Sequence, residues 1–85
     1  MTEAGMKKYV GKKVRIQMNV FPHSVKTEEI VGVVSDPVET TTHTLRDNKV
    51  IHKTHLDFYV GKKLIEWNKL KLIRSIEVIE DVKRN

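Results

Sequence analysis

Residues 50–67 read VIHKTHLDFYVGKKLIEW, and the first eleven of them carry the longest strand signal in the chain. Two sets of side chains alternate along them, as in a strand that buries one face. Gly61 and Lys62 follow, and glycine at the first central position favours a two-residue type II′ hairpin turn. The predicted register pairs Phe58 with Ile65 and Leu56 with Trp67 on the apolar face, and Tyr59 with Leu64 and Asp57 with Glu66 on the outer face.

Upstream, residues 13–20 also alternate, with valine, isoleucine and methionine at every second position, which predicts another half-buried strand. Residues 30–34 are apolar and β-branched and predict a further strand, in which Gly32 indicates a bulge or a sharp bend. Residues 38–45 are rich in threonine, which favours strands over helices. The polar residues 46–49 have the composition of a turn.

Downstream, residues 68–72 predict a short turn and residues 74–80 a final strand. A C-terminal helix is the alternative, but the apolar residues there spread around the whole helical wheel. Residues 1–6 and 81–85 are polar and lack periodicity, and we expect a flexible N-terminal tail and a polar C-terminal tail. The chain therefore predicts one β-barrel domain over residues 7–80.

Five or six short strands joined by tight turns in 85 residues predict a mostly-β fold, a small closed or partly open barrel. The segments GKKVRI (11–16), VGVV (31–34), IEWN (65–68) and SIEVI (75–79) resemble strands of Sm-like and SH3-like barrels. The resemblance implies five to six strands and a one-turn helix before the last one. Ser75 follows Arg74 where Sm-like RNA binders usually carry glycine, so neither a ring oligomer nor an RNA pocket is implied.

The composition is basic, with 16 lysines and arginines against 11 acids and a net charge of +5. Such a balance favours polyanionic partners. The absence of cysteine excludes disulfides, a cysteine nucleophile and thiolate zinc sites. No apolar run approaches the roughly 18 residues of a membrane span, and the N-terminal residues lack the apolar core of a secretory signal. We therefore expect a cytoplasmic protein that does not contact a membrane.

A short internal echo carries the candidate binding residues. YVGKKV (9–14) recurs as YVGKKL (59–64), so two lysine pairs precede two predicted strands. The predicted phosphate contacts are Lys12, Lys13, Arg15, Lys62 and Lys63. Tyr59 lies on the outer face of its strand and is the predicted stacking residue for a base. The alternative for the lysines is a solvated, solubilising edge.

The sequence contains little evidence for a metal site or a catalytic site. His52 and His55 point to opposite faces of a strand, so they cannot bind one metal together. His55, Asp57 and Glu66 form the only plausible mixed site, and a solvated acid pair is the commoner arrangement. The sequence contains no nucleophile motif and no glycine-rich phosphate loop. We therefore predict no enzymatic activity, no cofactor and no metal.

These features predict a small β-barrel that binds nucleic acid, RNA or DNA, through a lysine-rich face without sequence preference. The alternative is a protein-interaction module, with a protein partner or a homo-oligomer, in which residues 38–45 form an exposed sheet edge.

Overall fold

The structure is a computed structural model that describes residues 1–81. In chain order it contains α1 (Glu3–Lys7), β1 (Lys12–Asn19), β2 (Thr27–Val33), β3 (Val38–Arg46), β4 (Lys49–Val60), β5 (Lys63–Ile65), a 3₁₀ helix (Trp67–Leu72) and β6 (Ile73–Asp81). The predicted short turn and final strand are therefore present as the 3₁₀ helix and β6. Most of the predicted C-terminal tail, residues 82–85, lies outside the described residues.

The first sheet has the order β2-β1-β6, with all neighbours antiparallel. β1 is its central strand, and the predicted alternation holds because Val14, Ile16 and Met18 are buried. Ile16 lies between Ile30 of β2 and Ile76 of β6 in the register. The apolar face of this sheet therefore forms one wall of the core.

The second sheet has the order β3-β4-β5. Its β4–β5 hairpin has the predicted register, with Phe58 opposite Ile65 and Tyr59 opposite Leu64. Gly61 in the turn has φ +60°, which glycine adopts without steric cost. The predicted pairs Leu56–Trp67 and Asp57–Glu66 are absent from the ladder. They do not form because β5 ends at Ile65 and the chain continues into the 3₁₀ helix.

The β3–β4 hairpin turns at Asp47 and Asn48, as the composition of residues 46–49 predicted. Their φ angles are 51° and 62°, and two consecutive positive values match a type I′ turn, which Asn and Asp tolerate. The ladder runs without a register shift from Val38 opposite Asp57 to Arg46 opposite Lys49. The threonine-rich segment is therefore a strand, as expected.

The core lies between the two sheets and includes a residue from the expected flexible tail. Its buried members are Met6, Val14, Ile16, Met18, Ile30, Val34, Phe58, Val60, Ile65, Leu70 and Leu72. Met6 belongs to α1 and has no exposed surface. The Glu3 carboxylate also accepts a hydrogen bond from the Leu56 backbone N–H at 2.6 Å. The expectation of a loose tail over residues 1–6 is corrected, because these contacts hold α1 against β4.

The two sheets do not close into a barrel, which corrects the predicted architecture. Val34, which follows β2, meets Val60 at the end of β4 through one isolated bridge, and not through a ladder. The outer edge of β3 pairs with no strand among residues 1–81. Closure fails because much of β3 and β4 pairs only with each other. The mostly-β content and the six strands are confirmed, whereas kinship with SH3-like or Sm-like barrels stays a prediction.

Candidate nucleic-acid interface

The two copies of the internal echo converge on the end of β2. The Gly11 N–H donates to the Val34 carbonyl at 2.8 Å, and the Gly61 N–H donates to the neighbouring Val33 carbonyl at 3.0 Å. Val34 also forms bridges with both copies, one parallel and one antiparallel. The lysines that follow the two glycines therefore flank one strand end. We call Lys12, Lys13, Lys62 and Lys63 the lysine rim.

The four lysines of the rim differ in exposure and direction. Lys12 and Lys13 are half-buried, whereas Lys62 and Lys63 are exposed. Lys63 points toward Glu28 at the other end of β2, and its Nζ lies 3.9 Å from the carboxylate. The Lys63 side chain is thus directed away from the strand end at Val33.

Arg15 lies on the outer face of β1 between two acids. Its Nε is 2.9 Å from the Glu29 carboxylate on β2, and a terminal nitrogen is 3.4 Å from the Glu77 carboxylate on β6. Two residues before Arg15 on β1, Lys13 stands opposite Glu80 in the register. Charges of both signs therefore alternate across this face, and the Arg15 guanidinium already has anionic partners.

Tyr59 occupies the position that the sequence predicted for it. It lies on the outer face of β4, opposite Leu64, and 39% of its surface is exposed. Gly61, which anchors the second echo, is two positions along the chain. Trp67 takes another role, because its ring stacks on His55 with centroids 3.7 Å apart and planes at 8°. Tyr59 is thus an exposed aromatic side chain two residues before the glycine of the second echo.

Two of the three side chains of the hypothetical mixed metal site, His55 and Asp57, contact other groups. His55 stacks on Trp67, and its Nδ1 lies 3.5 Å from the Glu3 carboxylate. Asp57 accepts hydrogen bonds from the Thr40 hydroxyl at 2.5 Å and the Trp67 backbone N–H at 2.8 Å. Within residues 1–81, no group of three or more histidine, aspartate or glutamate side chains could hold a metal ion.

A cleft of about 400 Å³ opens between β5, the 3₁₀ helix and the β1–β2 connection. Phe21, Leu64 and Leu72 contribute to its apolar wall, and Lys63 and Glu28 stand in it as an ion pair. The buried Asn19 Oδ1 at this site has no hydrogen-bond partner among the described residues. Lysine and glutamate occur there in equal number, so the cleft carries no net charge that favours an anion.

A second cluster of cations, which was not predicted from the sequence, lies at the far end of the β3–β4 hairpin. Arg46 and Lys49 are directly opposite each other, and Lys53 lies further down the same face, opposite Thr42. All three are exposed. If the residues on either side of Asp47 and Asn48 are paired across the turn, as those around Gly61 and Lys62 are, these three cations fall on one face. Composition alone identified only the turn.

Comparisons with protein families, with curated proteins and with solved structures find no match to this chain. Among residues 1–81, no helix has the length and apolar character required to cross a bilayer.

Proposed function

We propose that this protein binds nucleic acid in the cytoplasm through phosphate contacts at the lysine rim, without sequence preference. The convergence of both echo copies on Val33 and Val34 supports the proposal most directly. Backbone hydrogen bonds hold the two copies at one strand end, so their lysines meet a phosphate backbone together. Lysine contacts of this kind supply affinity that is independent of sequence.

Each predicted site residue has a defined place in this proposal. Lys12, Lys13 and Lys62 contact phosphates, and Tyr59 stacks on an exposed base next to them. Lys63 stands at the border of the rim because it also faces Glu28. Arg15 is removed from the set of phosphate contacts, because its ion pairs with Glu29 and Glu77 already neutralise it. Its role is to tie β1 to both neighbouring strands.

The first experiment is a titration of mixed-sequence RNA and duplex DNA, followed by anisotropy, at about 50 and 200 mM salt. Release of counterions makes log affinity fall linearly with log salt, by about 0.9 per phosphate contact on duplex DNA. Three contacts at the rim therefore predict at least a tenfold loss of affinity over this range. Affinity that does not change with salt would contradict the proposal.

A matched pair of variants tests the site itself. Lys12→Gln/Lys62→Gln removes two rim charges, and Lys26→Gln/Lys71→Gln removes two exposed charges elsewhere. We expect the rim variant to lower the salt slope by about 2 and the control to leave it nearly unchanged. Equal effects of the two variants would show that net charge, and not the rim, attracts the nucleic acid.

We propose protein interaction through the β3 edge as the second candidate function. β3 is nine residues long, lies at the edge of its sheet and has no charged residue between Glu39 and Arg46. Natural sheet edges are commonly protected by lysine, proline or bulges, and this ladder has none of them within β3. An added partner strand would use the free backbone groups. A defined oligomer or stable protein complex, together with no affinity for nucleic acid, would favour this candidate.

A further inference from the structure

The outer half of the β3–β4 hairpin extends from the body of the protein. We call residues 41–54 the arm. None of them is buried, and only Thr42 and Ile51 are even half-buried, so both faces of the two-stranded ribbon meet solvent. A lone two-stranded hairpin is marginally stable in water. Packing against the core therefore does not explain why the chain forms an exposed ribbon of this length.

The register separates the arm into two different faces. One face carries Arg46 opposite Lys49, Thr44 opposite Ile51, and Thr42 opposite Lys53. The other carries Leu45 opposite Val50, and His43 opposite His52, whose rings pack edge to face with centroids 4.6 Å apart. All three cations of the arm thus lie on one side, which we call the cation face.

The cation face lacks acids that would balance it. Arg46 and Lys49 stand directly opposite each other, and like charges in that position destabilise a sheet. Within residues 1–81, none of the three cations of this face has a carboxylate within 4.0 Å, whereas Arg15 and Lys63 on the body are paired. A polyanion laid along this face would remove the repulsion.

The shape and composition of the arm select the kind of polyanion. The cation face carries no aromatic or histidine ring, so it offers no stacking platform for single-stranded bases. The major groove of B-form DNA is about 12 Å wide and admits a two-stranded β-ribbon, whereas the major groove of A-form RNA is too narrow. Arginine, lysine and threonine, the polar residues of the cation face, all reach base edges or phosphates in such grooves.

The arm also lies at a suitable distance from the lysine rim. The tip and the rim stand at opposite ends of β4, which runs from Lys49 to Val60. At about 3.3 Å per residue, a strand of that length spans at most roughly 36 Å. One turn of B-form DNA is about 34–36 Å. Both ends of β4 can therefore meet the same face of one duplex.

We propose that the arm inserts into the major groove of duplex DNA with its cation face toward the base pairs, while the lysine rim holds phosphates about one turn away. This inference rests on the proposed nucleic-acid binding and adds the form of nucleic acid and a second contact element.

The test compares a 20-base-pair DNA duplex, the matching RNA duplex and single-stranded DNA, titrated with the full chain by anisotropy at about 100 mM salt. The arm variant is Arg46→Gln/Lys49→Gln/Lys53→Gln. The control, Lys8→Gln/Lys26→Gln/Lys71→Gln, removes the same charge from exposed positions on the body. Thermal melting checks that both variants stay folded. Protection of guanine N7 from dimethyl sulfate reports occupation of the major groove directly.

We expect the DNA duplex to bind at least tenfold more tightly than the other two nucleic acids. The arm variant should lose at least tenfold in affinity for it and lose the N7 protection, while the control keeps that protection. Equal losses for both variants, equal binding of RNA duplex, or no N7 protection would overturn the arm inference and leave the lysine rim standing. No binding of any nucleic acid would overturn both proposals.

Discussion

Gly32 is the residue at which the two sheets touch through backbone alone. A Cβ atom at position 32 would lie 2.6 Å from the Gly61 nitrogen and 2.8 Å from its Cα. We therefore expect Gly32→Ala to destabilise the protein by about 1–3 kcal/mol, because the backbone of the β4–β5 turn must move away. Urea unfolding measures the change.

The control for Gly32 is Gly5→Ala. The new Cβ there would meet only side-chain atoms, the Sδ of Met1 at 3.0 Å and the Oγ1 of Thr2 at 3.2 Å. Its effect should stay within about 1 kcal/mol, since the exposed Met1 side chain can shift and alanine favours a helix. A Gly32→Ala protein as stable as the natural chain would show that the sheets do not depend on this approach.

Asp57 is a capping residue supplied from a distant strand. Because its carboxylate accepts the Trp67 N–H and the Thr40 hydroxyl, Asp57→Ala leaves both donors without this acceptor. We expect a loss of about 1–3 kcal/mol in the free energy of unfolding. Glu66→Ala is the matched control, because Glu66 precedes the same 3₁₀ helix and makes no side-chain cap bond. Equal losses in the two variants would exclude a capping role.

For single residues, the sequence predicted where a side chain lies better than what that side chain does in the fold. Tyr59 lies on the outer face as expected, because parity along one strand is a local property. Gly32 was expected at a bulge or a sharp bend, and the β1–β2 ladder passes it without the register shift of a bulge. Its actual role depends on Gly61, and no local pattern connects the two residues. The same holds for Asp57 and Trp67, whose contact the hairpin register did not contain.

Among the elements, those with local signals were predicted well. The β4–β5 register followed from a two-residue turn and alternating side chains, and the final strand followed from the absence of a helical face. α1 was missed, because five residues are too few to show helical periodicity and Met6 is buried only by contacts with distant strands. The cations of the arm were missed because their shared face depends on a cross-strand register.

The arm should be the least protected regular element of the fold. Its amides lie in a ribbon without a core, whereas β1 is paired on both sides and packed against the core. We expect hydrogen exchange in residues 41–54 to be at least tenfold faster than in β1, because local opening of the arm breaks few apolar contacts. Addition of duplex DNA should slow exchange in the arm. Equal protection of the arm and β1 in the free protein would contradict this expectation.

The whole molecule is more extended than its length requires. Its radius of gyration is 14.6 Å, whereas a compact chain of this size is expected near 12 Å. We attribute the difference to the arm, because none of its residues is buried. Thr41 and Thr54 are directly opposite, so an Asn-Gly turn can replace residues 42–53 without changing the register. X-ray scattering should give a value closer to 12 Å for this variant, and an unchanged value would place the extension elsewhere.

Barrel closure was the main error at the level of the whole molecule. Five or six strands were predicted, and six are present among the described residues, but alternation does not specify which strands of different hairpins pair. A closed barrel would have a ladder of paired residues where this structure has only the isolated Val34–Val60 bridge, so the two sheets do not close. Strand number is a local property that the pattern shows. Closure depends on pairing between distant segments, which the pattern does not show.

The pairing of β1 with β6 has a consequence for synthesis of the chain. Its register begins at Lys12 opposite Asp81, a separation of 69 residues (81 minus 12), and ends at Met18 opposite Ile73, a separation of 55 (73 minus 18). The central strand of the first sheet therefore leaves the ribosome well before its partner β6. Contacts this distant make folding slow. The arm hairpin can form during translation, while the core has to wait until β6 has emerged.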